Sequence, residues 1–247
     1  MTGATILHLP TNGKSARGPG TRFVFHSVVD GICAMGWDEL DGGDVMRVAK
    51  AYYYFSIQFR ENLEIACARH PEDSKLAELH AGECDTDNLS PWPAVSAAGE
   101  RMNHDEFMRR LLRFHPAGSD RRLSELGAAY LEKVRSVDDA ARAASIASYE
   151  DGGLSRVFDA ILRAPDWQGN GQQAFRFFLE QHIAFDSEDG AGHGSLSRHL
   201  TPGDAILPLW TAFRDLLAAA VPRLATVAAV TRRGARTPIF LRPLRMV

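Results

Sequence analysis

From Asp44 to Arg69 the apolar residues Val45, Val48, Ala49, Tyr52, Tyr53, Ile57, Leu63 and Ala66 recur at spacings of three and four. That is the period of a single long amphipathic α-helix. Pro71 disfavours helical geometry at the residue before it, so the helix should end near Arg69. No stretch shows the sustained period of two that a strand requires, and no internal repeat is visible. The fold class is therefore all-α, a single-domain bundle of about seven helices.

The remaining elements are punctuated less evenly. A short helix is expected over Ser74–Cys84, closed by the polar turn Asp85–Asn88, and another over 97–114 with Met102, Phe107, Met108, Leu111 and Leu112 as its apolar side. Ser136 followed by Val137, Asp138 and Asp139 resembles a helix cap with an acidic first turn. The alanine-rich segment it opens is interrupted by Gly152-Gly153 and resumes as LSRVFDAIL. A further helix covers QQAFRFFLEQHIAFD, and Thr201-Pro202 reads as a capped start with proline at the first helical position. Residues 1–20, rich in small and polar side chains, suggest a flexible leader. Residues 21–230 form the helical domain, and 231–247 form a tail with five arginines.

Charge and cysteine usage narrow the function classes. A formal net charge of −3 gives no reason to expect a nucleic-acid partner. Cys33, Cys67 and Cys84 have no CxxC spacing, which suits a reducing cytoplasm. The amino terminus lacks a basic segment followed by an apolar run, so no secretory signal is read there. The most apolar stretch is broken by Pro222 and Arg223, well short of the roughly 20 residues of a membrane helix. Phosphate-loop, GxSxG and HExxH motifs are absent.

Carboxylates and imidazoles supply the candidate chemistry. His182 and Asp186 stand at i and i+4, on one face of a helix and within reach of a common ion. Phe177, Phe178, Ile183 and Phe185 surround them with bulk that would exclude water. Seven residues after Asp186 comes His193, beyond Gly190 and Gly192, and Asp189 is its rival if the helix runs on unbroken. Glu150 lies in an apolar helical setting between Ile146, Tyr149, Leu154 and Phe158, where a carboxylate is costly unless it is paired or binds metal. His104 follows Glu100 by one turn, and Glu83 stands earlier with His80 one turn before it. Either glutamate is placed to be the early carboxylate. Mixed nitrogen and oxygen donors of this kind suit redox-active iron better than structural zinc.

These residues together resemble the heme-oxygenase-like diiron oxidase and oxygenase superfamily. His182-Ile-Ala-Phe-Asp186 is similar to its HxxxD element, Glu150 to its middle-helix ligand and His104 to its early histidine. Glu83 or Glu100 stands for the early glutamate. His193 stands seven residues after Asp186, where the family's histidine comes three or four after, so a short insertion through Ser187–Gly194 would carry it. The resemblance implies a seven-helix heme-oxygenase-like bundle and two Fe(II) ions held by Glu83, Glu100, His104, Glu150, His182, Asp186 and His193. It further implies O2 as co-substrate and an oxidoreductase acting on a small amine, amino-acid or acyl substrate. A metal-free acid–base enzyme of the same fold and a non-catalytic helical binding protein are the competing expectations. Dimerisation through an apolar helix face is compatible with all three.

Overall fold

The computed structural model describes residues 24–86, 95–186, 197 and 199–225, with the side chains of Ala117, Asp151, Phe185 and Asp186 excepted. The expected leader (1–20), the basic tail (231–247), Asp87, Asp189 and His193 lie outside the described residues, as does the side chain of Asp186. Nine α-helices are assigned among the described residues: α1 (Phe25–Cys33), α2 (Gly42–Arg69), α3 (Ser74–Cys84), α4 (His104–Leu111), α5 (Arg121–Arg135), α6 (Asp139–Ser148), α7 (Leu154–Ile161), α8 (Asn170–Asp186) and α9 (Leu207–Ala220). No strand occurs among the described residues, and none of their helices is long and apolar enough to cross a membrane.

The all-α expectation holds, but the count exceeds seven. Neither α1 nor α5 was expected, and α6 and α7 are two halves of one rod joined by a π-helical turn over Tyr149–Gly153. At its 28 residues α2 is about 42 Å long. It packs against α3, α4, α5, α6, α8 and α9, so nearly every other helix is placed by it. Its inward face carries Val45, Val48, Ala49, Tyr52, Phe55, Phe59, Leu63 and Ala66, all buried. Each fully buried large side chain of this kind contributes about 2 kcal/mol relative to exposure.

Short polar side chains set the helix starts. Asp41, Asp73, Asn103, Asp120 and Asp138 accept hydrogen bonds from the first backbone amides of α2 to α6 in turn. Two expected boundaries move for this reason, and a third moves without any side-chain cap. Asn103 caps α4, so that helix begins at His104 rather than near residue 97, and Gly99 upstream takes a positive φ of 73°. Asp138, not Ser136, caps α6, while Ser136 closes α5. Thr201-Pro202 starts no helix: the chain turns through a 3-10 segment at Asp204–Ile206, and Pro208 occupies the first turn of α9.

Candidate metal centre

Glu83 sits in the last turn of α3 and His104 is the first residue of α4, with 20 residues of sequence between them. A single antiparallel bridge closes that gap. Thr86 N–H donates to the Met102 carbonyl at 2.9 Å and Met102 N–H donates back to Thr86 at 3.0 Å, so the end of α3 is laid against the start of α4. His104 Nδ1 then lies 3.0 Å from Glu83 Oε2, and both side chains are buried. His182 comes from α8, its ring centre 4.7 Å from that of His104. Each of the three residues offers a ligand atom within 4.8 Å of the other two, a group able to hold a metal ion.

Hydrogen bonding orients both imidazoles. The Thr86 hydroxyl donates its one proton to the Gly82 carbonyl at 2.5 Å. At its 3.2 Å contact with His104 Nε2 the hydroxyl oxygen must therefore accept, which makes Nε2 the N–H and turns Nδ1 toward Glu83. His182 Nδ1 lies 2.7 Å from the Phe178 carbonyl, which can only accept, so Nε2 carries the lone pair. An outer oxygen that fixes which ring nitrogen is basic is the usual companion of a metal-bound histidine. Two ligands each about 2.1 Å from one first-row ion and at right angles lie about 3.0 Å apart, which matches the His104–Glu83 separation. The donor set therefore fits a metal.

Glu150 lines the same cavity with Glu83, His104 and His182. Its carboxylate is carried by the π-turn, where an extra residue per turn rotates side chains off the helical register. The two glycines explain why the turn forms there. Gly152 has φ 86°, and a Cβ on Gly153 would lie 2.1 Å from the Ser148 carbonyl. Flanking hydrogen bonds hold it: Trp210 Nε1 donates to Ser148 Oγ at 3.0 Å, and Gln58 Nε2 donates to the Tyr149 hydroxyl at 2.7 Å. Burial pushes the Tyr149 phenol up to about 12. Tyr52, Ser56, Phe59 and Leu154 complete the cavity, and Phe158 and Phe178 stand behind the His182 ring. The space enclosed is about 10 Å³, enough for one ion or one water.

Glu100 belongs elsewhere. The helical pairing expected between it and His104 needs a helix through both, and α4 begins only at His104. Glu100 instead accepts from the Ala97 N–H at 3.1 Å and from Arg110 at 2.7 Å; the Arg110 hydrogen bond is the main cause of its lowered pKa. Glu83 is thus the early carboxylate that lies beside His104. The backbone of Asp186 lies one helical turn beyond His182, at the end of α8. Thr86 was missed, hidden between the two aspartates of a polar turn. The signal that could have found it is its hydroxyl, one helical turn beyond Gly82 and next to the Glu83 segment. Comparison with protein-family models, curated proteins and solved structures gives no match.

Proposed function

We propose that this protein is a non-heme iron oxidoreductase that uses O2 to oxidise a small amine, amino-acid or acyl substrate in the cytoplasm, akin to the heme-oxygenase-like diiron superfamily. The observation that carries this reading is the meeting of the buried Glu83 and His104 with the half-buried His182, each imidazole oriented by an outer oxygen. Two histidines and one carboxylate with further open positions are a donor set favoured for ferrous iron in oxygenases. Glu83, His104, Glu150 and His182 would hold the iron; a second ion, with Asp186 and His193 among its ligands, is what the family resemblance implies. When bound, iron supplies the electron transfer to O2 that the side chains alone cannot perform.

The protein's own residues have separable tasks. Glu83 and Glu150 bring negative charge that balances the cation in a low-dielectric setting. Thr86 and the Phe178 carbonyl hold the protons of His104 Nε2 and His182 Nδ1, leaving the opposite nitrogens basic. Tyr52, Phe59, Phe158 and Phe178 exclude water from the cation. All three cysteines are free thiols, in keeping with a reducing compartment.

The test is to load the protein with ferrous iron without oxygen and then admit O2 with amine, amino-acid and acyl substrates. Stoichiometric iron binding and substrate-coupled O2 uptake are expected, both lost when His182→Ala is combined with Glu150→Ala. Wild-type protein that binds no iron, or a double variant that binds it equally well, would overturn the proposal. A second reading rests on the 3.0 Å contact between His104 Nδ1 and Glu83, which without metal is an acid–base pair. Turnover that survives complete chelation of metal would select it.

A further inference from the structure

A second cavity, about 570 Å³, opens beside α2 where α4 gives way to the turns over Leu112–Phe114 and Pro116–Ser119. His104 begins α4 and this cavity lies past its other end. Eight helical residues rise about 12 Å, so the two sites are distinct. Its wall includes Lys50, Arg109, Arg113 and His115, and no carboxylate lines it. Arg109 is paired with Glu106, and burial, with Arg47 nearby, lowers the His115 pKa, so the charge this space presents comes from Lys50 and Arg113, two cations that an anion would join.

Lys50 is the informative member. It is only 8 % exposed, and its amine donates to the Gly118 carbonyl at 3.3 Å while lying 5.6 Å from the ring centres of both Tyr53 and Tyr54. Among the described residues no carboxylate comes within ion-pair distance of Lys50 or Arg113. Asp120 attracts Lys50 from farther off, but its carboxylate caps α5 through Leu123 N–H; burial leaves the amine below the usual lysine range. The turn that positions Lys50 is itself specified. A Cβ on Gly118 would fall 2.0 Å from the Leu112 carbonyl, so only glycine lets the two turns stack and present the Gly118 carbonyl to the amine. Phe114, 53 % exposed, adds an apolar rim to the same cavity.

We propose that this cavity binds a small organic anion, a phosphate or carboxylate carried on an apolar body. Lys50 and Arg113 take the charged group, and Tyr53 and Phe114 cover the apolar part. Arginine provides the planar fork that such oxyanions accept, and a poorly hydrated lysine binds them more strongly than an exposed one. The site is independent of the metal centre and stands whether or not iron is bound.

Calorimetric titration of the full chain with phenyl phosphate, benzoate and inorganic phosphate tests it. Saturable one-site binding of phenyl phosphate or benzoate is expected, tighter than inorganic phosphate and weakened by added salt; the tighter of the two organic ligands identifies the charged group. Arg113→Gln, an exposed substitution that leaves the fold intact, should weaken binding about tenfold while iron affinity stays at the wild-type value. Lys50→Gln should weaken it at least as much. No saturable binding of either organic ligand up to about 10 mM, equal binding by Arg113→Gln, or inorganic phosphate binding as tightly as both organic ligands would each overturn the proposal.

Discussion

Two largely buried polar clusters pack against α2, and they are built on opposite plans. In one, Arg142 donates to Asn62 at 2.9 Å and to Glu61 at 3.2 Å, Asn62 donates to Ser145 at 3.0 Å, and Tyr130 and Tyr149 close on Gln58. Donors and acceptors there alternate, so the protein satisfies itself. In the other, Glu83, His104 and His182 each bring one ligand atom within 4.8 Å of the other two, with an outer oxygen on each imidazole. Three ligand atoms gathered in this way suit a cation. Burial of polar residues alone therefore does not distinguish a framework from a site; the balance of donors and acceptors does.

The difference can be broken from either side. The largest effect is expected when Glu83→Ala is combined with His182→Ala. Ferrous affinity, measured by competition with a chelator, should fall about 1,000-fold, or ~4 kcal/mol; a wild-type value would place the metal elsewhere. Arg142→Ala attacks the self-satisfied cluster: the buried Asn62 carbonyl loses its donor, while Glu61 keeps its pair with Arg135. Urea unfolding should show a loss of about 2 kcal/mol, while the folded fraction keeps its iron affinity. Coupled loss of both properties would mean that the two clusters are one.

Thr86→Val separates orientation from ligation. It removes the oxygen that accepts from His104 Nε2 while preserving side-chain shape, so iron affinity should fall by about 10- to 100-fold for a stability cost of only about 1 kcal/mol. Unchanged affinity would show that the His104 tautomer is set by something other than Thr86. The smallest effect belongs to an exposed pair. Hydrogen bonds from Arg109, and then Arg110, hold Glu106 at about 2 against an ordinary 4.5. A carboxylate with a depressed folded pKa stabilises above its unfolded value and loses that contribution as pH falls through the folded one. Glu106→Gln should therefore cost about 0.5 kcal/mol at pH 7, a difference that disappears between pH 4.5 and 2. A pH-independent difference would show that charge is not its origin.

Much of this arrangement was legible before any coordinates. The spacing from Val45 to Ala66 marked the central helix because one face of it is buried along nearly its whole length. The Gly152-Gly153 interruption marked the break that carries Glu150. Glu100 was misplaced for a local reason: a glutamate four residues before a histidine looks like a helical pair until Asn103 is recognised as the cap that starts the helix between them. The meeting of Glu83 with His104 depends on a two-hydrogen-bond bridge between Thr86 and Met102, which leaves no periodic trace. α5 went unseen although Asp120 gives it an ordinary capped start, and its apolar side of Leu123, Tyr130, Leu131 and Val134 is interleaved with charge.

The central claim is that Glu83, His104 and His182 share one ferrous ion. Anomalous diffraction at the iron edge, from crystals grown with Fe(II) in the absence of oxygen, tests it most directly. The expected result is a strong peak within bonding distance of the Glu83 carboxylate, His104 Nδ1 and His182 Nε2. A fully iron-loaded crystal with no peak there, or with its peak away from these three residues, would contradict it.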